Sequence, residues 1–216
     1  MTLIDRARAL VGLADPAPKW PPDKLSLALQ GGGSFGAFTW GVLDRLLEEP
    51  DVDFDAISGA SAGAVNATLM AAGMADGGRE EARARLTQFW RRMSHTAGLL
   101  PSAPPMGTGF ELVLRSLSPY QFNPLNFNPL REALLASINF ERLRNHSPIK
   151  LLLAATRVND GRLRILTNYE LTVEAVLASA CLPLLQQSIV IDGEAYWDGG
   201  YAANPPLIPL VPDLEL

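Results

Sequence analysis

The first half of the chain alternates short apolar runs with longer stretches of helical spacing. Residues 24–30 (KLSLALQ) and 54–58 (FDAIS) are short and apolar, which predicts two buried strands. Residues 37–49 and 62–75 repeat apolar side chains at helical spacing, and residues 79–93 form an amphipathic pattern. Strands that alternate with helices are typical of a parallel sheet covered by helices, so we predict an α/β fold.

The middle of the chain breaks this alternation. Residues 94–130 are rich in proline and glycine, which predicts a long excursion over the surface with one short helix near residues 109–117. Excursions of this kind often form lids or walls of a substrate site. Residues 129–138 then predict a helix with proline in its first turn.

The second half adds strands and one more helix. Residues 149–158 (IKLLLAATRV) give the clearest buried strand, and the turn NDG predicts a hairpin with residues 162–167. Residues 172–180 predict a helix, and residues 188–200 predict two short strands that end in a glycine pair.

Composition limits the classes of protein to which the chain can belong. It has 216 residues, of which 48% are hydrophobic and 19% charged, so we expect one globular domain over residues 1–216. The formal net charge is −5 and there is no basic block, which argues against a nucleic-acid partner.

Several features predict a soluble cytoplasmic protein. Cys181 is the only cysteine, so no disulfide can form within the chain, as expected in a reducing compartment. Charged residues interrupt the amino-terminal residues 1–18, which therefore lack the apolar core of a signal peptide. Residues 56–75 are uncharged, but alanine, glycine and polar side chains dominate them. We predict a buried strand, turn and helix there rather than a membrane span.

The segment GASAG places a serine between small residues at a predicted junction of strand and helix. Gly59, Ser61 and Gly63 match the nucleophile-elbow pattern Gly-x-Ser-x-Gly. A sharp turn of this kind excludes bulky neighbours and places the hydroxyl at a helix N-terminus, where developing negative charge is stabilised. The same residues could also form a small-residue turn without chemistry, and the pattern alone does not decide between the two.

A second glycine-rich loop follows the first predicted strand. Gly31, Gly32, Gly33 and Ser34 can be aligned with a dinucleotide-binding pattern, but no acidic residue closes a second strand about twenty residues later. The Gly-Lys-Ser/Thr of a phosphate-binding P-loop is also absent from the sequence. We favour an oxyanion hole, in which main-chain N–H groups of this loop stabilise negative charge beside the elbow serine.

A nucleophilic serine needs a base, and the sequence offers few candidates. The two histidines, His95 and His146, lie in polar surroundings that predict surface positions. Asp198 lies between a predicted strand and the pair Gly199-Gly200, which would allow its carboxylate to approach another loop closely. We therefore predict a Ser61–Asp198 pair, with a turn-forming aspartate as the alternative.

Three segments together resemble the signature blocks of bacterial patatin-like phospholipases. They are LALQGGGSFGAFTWGVLDRLLEE, ISGASAGAVNATLMAAG and LASACLPLLQQSIVIDGEAYWDGGYAANPPL, in the family's order over about residues 25–209. The resemblance implies a three-layer α/β/α sandwich with a mostly parallel central sheet. It also implies lipid acyl-ester hydrolysis through an acyl-serine intermediate, without metal or cofactor. In the family the glycine loop supplies the oxyanion hole, the elbow serine is the nucleophile and the aspartate is its base. The resemblance assigns these roles here to residues 31–34, Ser61 and Asp198.

The resemblance also predicts a lipid or acyl-ester substrate and a transient contact with a membrane surface. Two departures from the family pattern stand out. Phe35 occupies a position where the family usually has arginine or lysine, which removes a cation beside the oxyanion loop. Family domains usually continue well beyond Asp-Gly-Gly, so we expect the chain to be shortened at its C-terminus relative to the family.

Two other functions remain open on the sequence. One is a Ser-His-Asp esterase whose histidine was lost with the C-terminus. The other is a catalytically weak regulatory or lipid-binding relative, which Phe35 and the early C-terminus would favour.

Overall fold

The protein is described by a computed structural model that covers residues 24–99 and 118–211. The predicted helix near residues 109–117 and most of the predicted surface excursion lie outside the described residues.

The strands of the described residues form one mixed sheet. They are β1 (Lys24–Leu29), β2 (Asp53–Gly59), β3 (Lys150–Arg157), β4 (Leu163–Thr167), β5 (Ile189–Ile191) and β6 (Glu194–Asp198). β1, β2 and β3 run parallel to one another, as the alternation of strands and helices predicted. β4 and β6 each pair antiparallel with β3, and β5 pairs antiparallel with β6. The strand order is β1-β2-β3-β6-β5, with β4 paired to β3.

Helices connect these strands and confirm the predicted α/β fold. They are α1 (Gly36–Leu47), α2 (Ala62–Leu99), α3 (Pro119–Phe122), α4 (Pro129–Ser137), α5 (Phe140–His146) and α6 (Val173–Ser179). The sequence predicted two helices where α2 runs. The backbone of α2 leaves the helical conformation at Gly78, where φ is 77°, so both predicted segments are helical on either side of a kink.

Helix α5 was not predicted, and its last residue is His146. The side chain of Asn139 caps the helix by accepting a hydrogen bond from the N–H of Arg142 at 3.0 Å. Only Leu143 is buried within α5. A short helix with one buried position has too weak an apolar pattern to be found by periodicity.

Helix α1, which follows the glycine loop, packs on the core with one row of side chains. Leu43 and Leu47 are buried, whereas Phe38 on the same helix is 78% exposed. Arg83 of α2 binds Asp44 at 2.9 Å and thereby joins α1 to α2. The helix therefore has a fixed inner face and an apolar residue on its outer face.

The uncharged stretch of residues 56–75 is a buried strand, turn and helix, as predicted. Residues 56–60 and 62–73 are buried, and together with β3 they form the centre of the core. Across residues 24–99 and 118–211, no helix is both long enough and apolar enough to cross a bilayer.

Candidate active site

Ser61 is the second of the two residues, Ala60 and Ser61, that connect β2 to α2. Its φ is 54°, in the left-handed region that non-glycine residues rarely occupy. Strain of this kind persists only where the surrounding structure enforces it, and it is concentrated at functional sites. The predicted elbow geometry is therefore present at Ser61.

The two glycines of the elbow are required by close packing. A Cβ added at Gly63 would lie 2.1 Å from the carbonyl oxygen of Leu29, at the end of β1. A Cβ added at Gly59 would lie 2.8 Å from the main-chain nitrogen of Ala64. Neither position can accept a side chain without a shift of backbone, which explains the spacing Gly-x-Ser-x-Gly physically.

The end of helix α6 holds the elbow in place. The N–H of Ser61 donates to the carbonyl oxygen of Ser179 at 3.0 Å and lies 3.2 Å from the Ser179 hydroxyl. Ser179 is fully buried. On β2, three residues before Ser61, the hydroxyl of Ser58 donates to the carbonyl oxygen of Pro206 at 2.5 Å. The C-terminal third of the chain thus fixes the position of Ser61.

Asp198 is the last residue of β6 and is held by its main chain. Its N–H donates to the carbonyl oxygen of Cys181 at 2.8 Å, and its carbonyl oxygen accepts from the Thr156 hydroxyl at 2.8 Å. The next residue, Gly199, lies so close to β3 that an added Cβ would be 2.2 Å from the carbonyl oxygen of Ala154. The strand and this close approach give the carboxyl group a rigid position.

The carboxyl group of Asp198 is buried next to Ser61. Asp198 is only 3% exposed, and burial raises its pKa, whereas the Ser61 side chain and the N–H of Gly200 act to lower that pKa. Oδ1 accepts from the Gly200 N–H at 2.8 Å. Oδ2 is buried and has no hydrogen-bond partner among the described residues. No hydrogen bond of standard geometry joins Ser61 to Asp198, although the serine side chain lies near enough to act on the pKa of the carboxyl group.

The glycine loop lies directly against the serine. A Cβ added at Gly31 would be 2.6 Å from the Cβ of Ser61. The N–H of Gly31 donates to Asn204 Oδ1 at 2.6 Å. The N–H groups of Gly32, Gly33 and Ser34 donate to no acceptor within residues 24–99 and 118–211. The structure thus brings the predicted loop, serine and aspartate together.

The two histidines are placed elsewhere. His95 on α2 and His146 at the end of α5 are both exposed, as the sequence predicted. Neither residue is hydrogen-bonded to Ser61 or Asp198.

The family follows from this arrangement taken together with the sequence. A family profile described as patatin-like phospholipase matches residues 27–211. The chain belongs to the patatin-like phospholipase family. The match includes the glycine loop, the elbow and Asp198, so the resemblance seen in the three sequence blocks is confirmed at the level of the family.

Two solved structures are similar to this patatin-like chain. The crystal structure of VipD from Legionella pneumophila aligns with a TM-score of 0.52 at 18% identity, over 90% of this chain and 48% of VipD. The type III effector ExoU aligns with a TM-score of 0.40 at 25% identity, over 76% of this chain and 41% of ExoU. The VipD alignment supports the fold. The chain spans about half the length of each of these proteins. A search of curated protein sequences found no significant match.

Three contributors to the site were missed from the sequence. Ser179 and Asn204 bind main-chain groups of the elbow and the glycine loop, and no local pattern connects them to those distant segments. Ala62, directly after the serine, has an N–H that donates to no acceptor among the described residues. The elbow pattern itself could have pointed to Ala62, because the residue after an elbow nucleophile commonly donates to the oxyanion.

Proposed function

We propose that this chain is a serine lipid acyl hydrolase that cleaves carboxylic esters of phospholipids or related acyl esters. In this proposal Ser61 is the nucleophile and Asp198 is its base. The observation that carries it is the strained backbone of Ser61 together with a buried carboxyl group, that of Asp198, on whose pKa the Ser61 side chain acts. Membership of the patatin-like phospholipase family supports the substrate class.

The proposed reaction has two steps. First, Asp198 accepts the proton of the Ser61 hydroxyl while Ser61 Oγ attacks the ester carbonyl carbon. The tetrahedral intermediate then expels the alcohol, which takes the proton from Asp198, and an acyl-Ser61 ester remains. Second, Asp198 accepts a proton from water, and the resulting hydroxide attacks the acyl-enzyme. Collapse releases the carboxylic acid and returns the proton to Ser61.

The negative charge on the carbonyl oxygen needs preorganised donors. The unpaired N–H groups of the glycine loop, together with the N–H of Ala62, are suited to this role. The loop packs against Ser61 at Gly31, Ala62 directly follows Ser61, and these N–H groups donate to no acceptor among the described residues. Loss of one such donor typically costs about a hundred- to a thousandfold in rate.

Exposed apolar side chains support the lipid substrate and a transient contact with a membrane surface. Phe35 is 80% and Phe38 78% exposed at the start of α1, directly after the glycine loop. Large aromatic residues exposed next to a candidate site are typical of surfaces that bind apolar partners. The cytoplasmic location predicted from the single cysteine remains a prediction.

Labelling with a long-chain organophosphonate tests the proposed nucleophile. We expect mass spectrometry to find a phosphonyl adduct on Ser61, and hydrolysis of a short-chain nitrophenyl ester to disappear in Ser61→Ala. Ser94→Ala, which removes an exposed hydroxyl on α2, is the matched control and should change neither result. An adduct on another residue, or labelling that persists in Ser61→Ala, would contradict the proposal. Labelling without any hydrolysis would instead favour the catalytically weak lipid-binding function.

A further inference from the structure

The side chain of Asn204 joins the two loops that meet beside Ser61. Its Oδ1 accepts a hydrogen bond of 2.6 Å from the N–H of Gly31, in the loop that follows β1. Asn204 itself lies in the loop after β6, and a Cβ added at Gly200 would be 3.7 Å from Asn204 Cγ. One exposed side chain therefore connects the glycine loop to the loop that begins at Asp198.

A second asparagine holds the opposite end of the glycine loop. Asn66 is fully buried, and its Nδ2 donates to the carbonyl oxygen of Gly36 at 2.9 Å. Its Oδ1 accepts from the indole N–H of Trp90 at 2.8 Å, which fixes the orientation of the amide. The loop is thus anchored at residues 31 and 36, and the unpaired N–H groups lie between these anchors.

We propose that Asn204 is a positioning residue for the oxyanion hole, and that Gly31 supplies a structural hydrogen bond rather than an oxyanion donor. This inference rests on the proposed hydrolase function and gives the glycines of the loop different roles. The Gly31 N–H already has a side-chain acceptor, so a substrate oxygen would have to displace Asn204 to use it. Gly32 and Gly33 have no such competitor among the described residues and are left to stabilise the oxyanion.

The opposite role for Asn204 makes a contrary prediction. If Gly31 were an oxyanion donor that Asn204 blocks, removal of the asparagine side chain would free the donor and raise the rate. If Asn204 positions the loop, the same removal lowers the rate, because small displacements of catalytic groups cost about a hundredfold. The sign of the change in kcat therefore separates the two.

The first measurement is amide hydrogen exchange at Gly31, monitored by NMR. It does not depend on catalytic turnover. We expect Gly31 to exchange about tenfold faster in Asn204→Ala, in line with the loss of one hydrogen bond. Asn204→Asp keeps an acceptor and should retain the protection. Asn145→Ala, at an exposed asparagine of α5, is the matched control. Unchanged exchange of Gly31 in Asn204→Ala would overturn the proposal.

The second measurement is steady-state kinetics on the same variants. Asn204→Ala should lower kcat about ten- to a hundredfold with little change in KM, since the transition state loses support and the ground state does not. Asn204→Asp should recover activity at higher pH only, because a second carboxylate raises the pKa of Asp198. An unchanged or higher kcat in Asn204→Ala overturns the proposal. If the unaltered chain shows no Ser61-dependent hydrolysis, the hydrolase proposal and the catalytic role of Asn204 fail together. The exchange rate of the Gly31 amide then still decides whether Asn204 holds the loop.

Discussion

The buried carboxyl of Asp198 lies close enough to the Ser61 hydroxyl for the serine to lower the pKa of the aspartate. Asp198→Asn keeps the size of the side chain and the acceptor for the Gly200 N–H, but it cannot take up a proton. We expect kcat for ester hydrolysis to fall at least about a hundredfold, the scale on which loss of a general base acts.

The thermal stability of Asp198→Asn at neutral pH should rise, although its activity falls. Burial raises the folded-state pKa of Asp198, so its contribution to stability is present below the unfolded pKa and lost as pH rises through the folded pKa. Asp198→Asn removes that buried charge, and its Tm should exceed the unaltered protein's at neutral pH, with the difference vanishing in acid. Near-normal turnover would refute the Ser61–Asp198 pair, and a lower Tm at neutral pH would refute the role of burial.

The acidic limb of the pH profile should report the same carboxyl. Because burial raises the pKa of Asp198, kcat/KM should decline on acidification at a pH above the ordinary aspartate value of about 3.9. Asp160→Asn, at an exposed turn, is the control and should leave the limb in place. A limb at or below the ordinary value, with the fold intact, would count against Asp198 as the base.

Substitution of either histidine should leave most of the activity. His95 and His146 are exposed and lie on α2 and α5, away from the loops that hold Ser61. We expect His95→Ala and His146→Ala to change kcat by less than about threefold, because the proposed reaction gives them no proton to move. A hundredfold loss in either variant, with an unchanged circular dichroism spectrum, would bring back a Ser-His-Asp mechanism.

Two glycine-to-alanine changes should differ in effect: one should lower activity, and the other should raise stability. Gly31→Ala would bring a methyl group against the Ser61 Cβ, and we expect kcat to fall about a hundredfold as serine and loop move apart. Gly41→Ala, in α1, meets no neighbouring atom and should stabilise the fold by about 0.5–1 kcal/mol without loss of activity. Urea unfolding and steady-state assays measure both. Full activity in Gly31→Ala would show that the loop does not lie against the serine.

The single cysteine should resist alkylation in the folded protein. Cys181 is buried, its thiol donates to the carbonyl oxygen of Gln187 at 3.1 Å, and burial raises its pKa to about 11. Since the thiolate is the reactive form, iodoacetamide at neutral pH should modify Cys181 only after unfolding. Rapid modification of the native protein would indicate that the end of α6 is more open than described.

The sequence predicted the elements that carry the site better than the contacts that complete it. Apolar patterns were sufficient to place β1, β2, β3 and α1. The predicted burial of β1 was wrong, because β1 lies at the edge of the sheet and Leu29 is its one buried residue. Helix α5 has one buried residue and was missed. The positions of Ser61 and Asp198 could be inferred from glycine spacing, which reflects local backbone geometry. The bonds from Asn204 and Ser179 could not, because they join segments far apart in the chain and depend on tertiary packing.

The hydrogen bond from the Ser61 N–H to Ser179 has a consequence for how the protein is made. During synthesis the elbow segment leaves the ribosome long before α6, β6 and Asn204 do, since chains emerge from the N-terminus. Until those later segments dock, the nascent chain contains the serine without the contacts that hold its strained turn and without the aspartate. The arrangement of Ser61, the glycine loop and Asp198 therefore forms only after the C-terminal segments have been made and have docked.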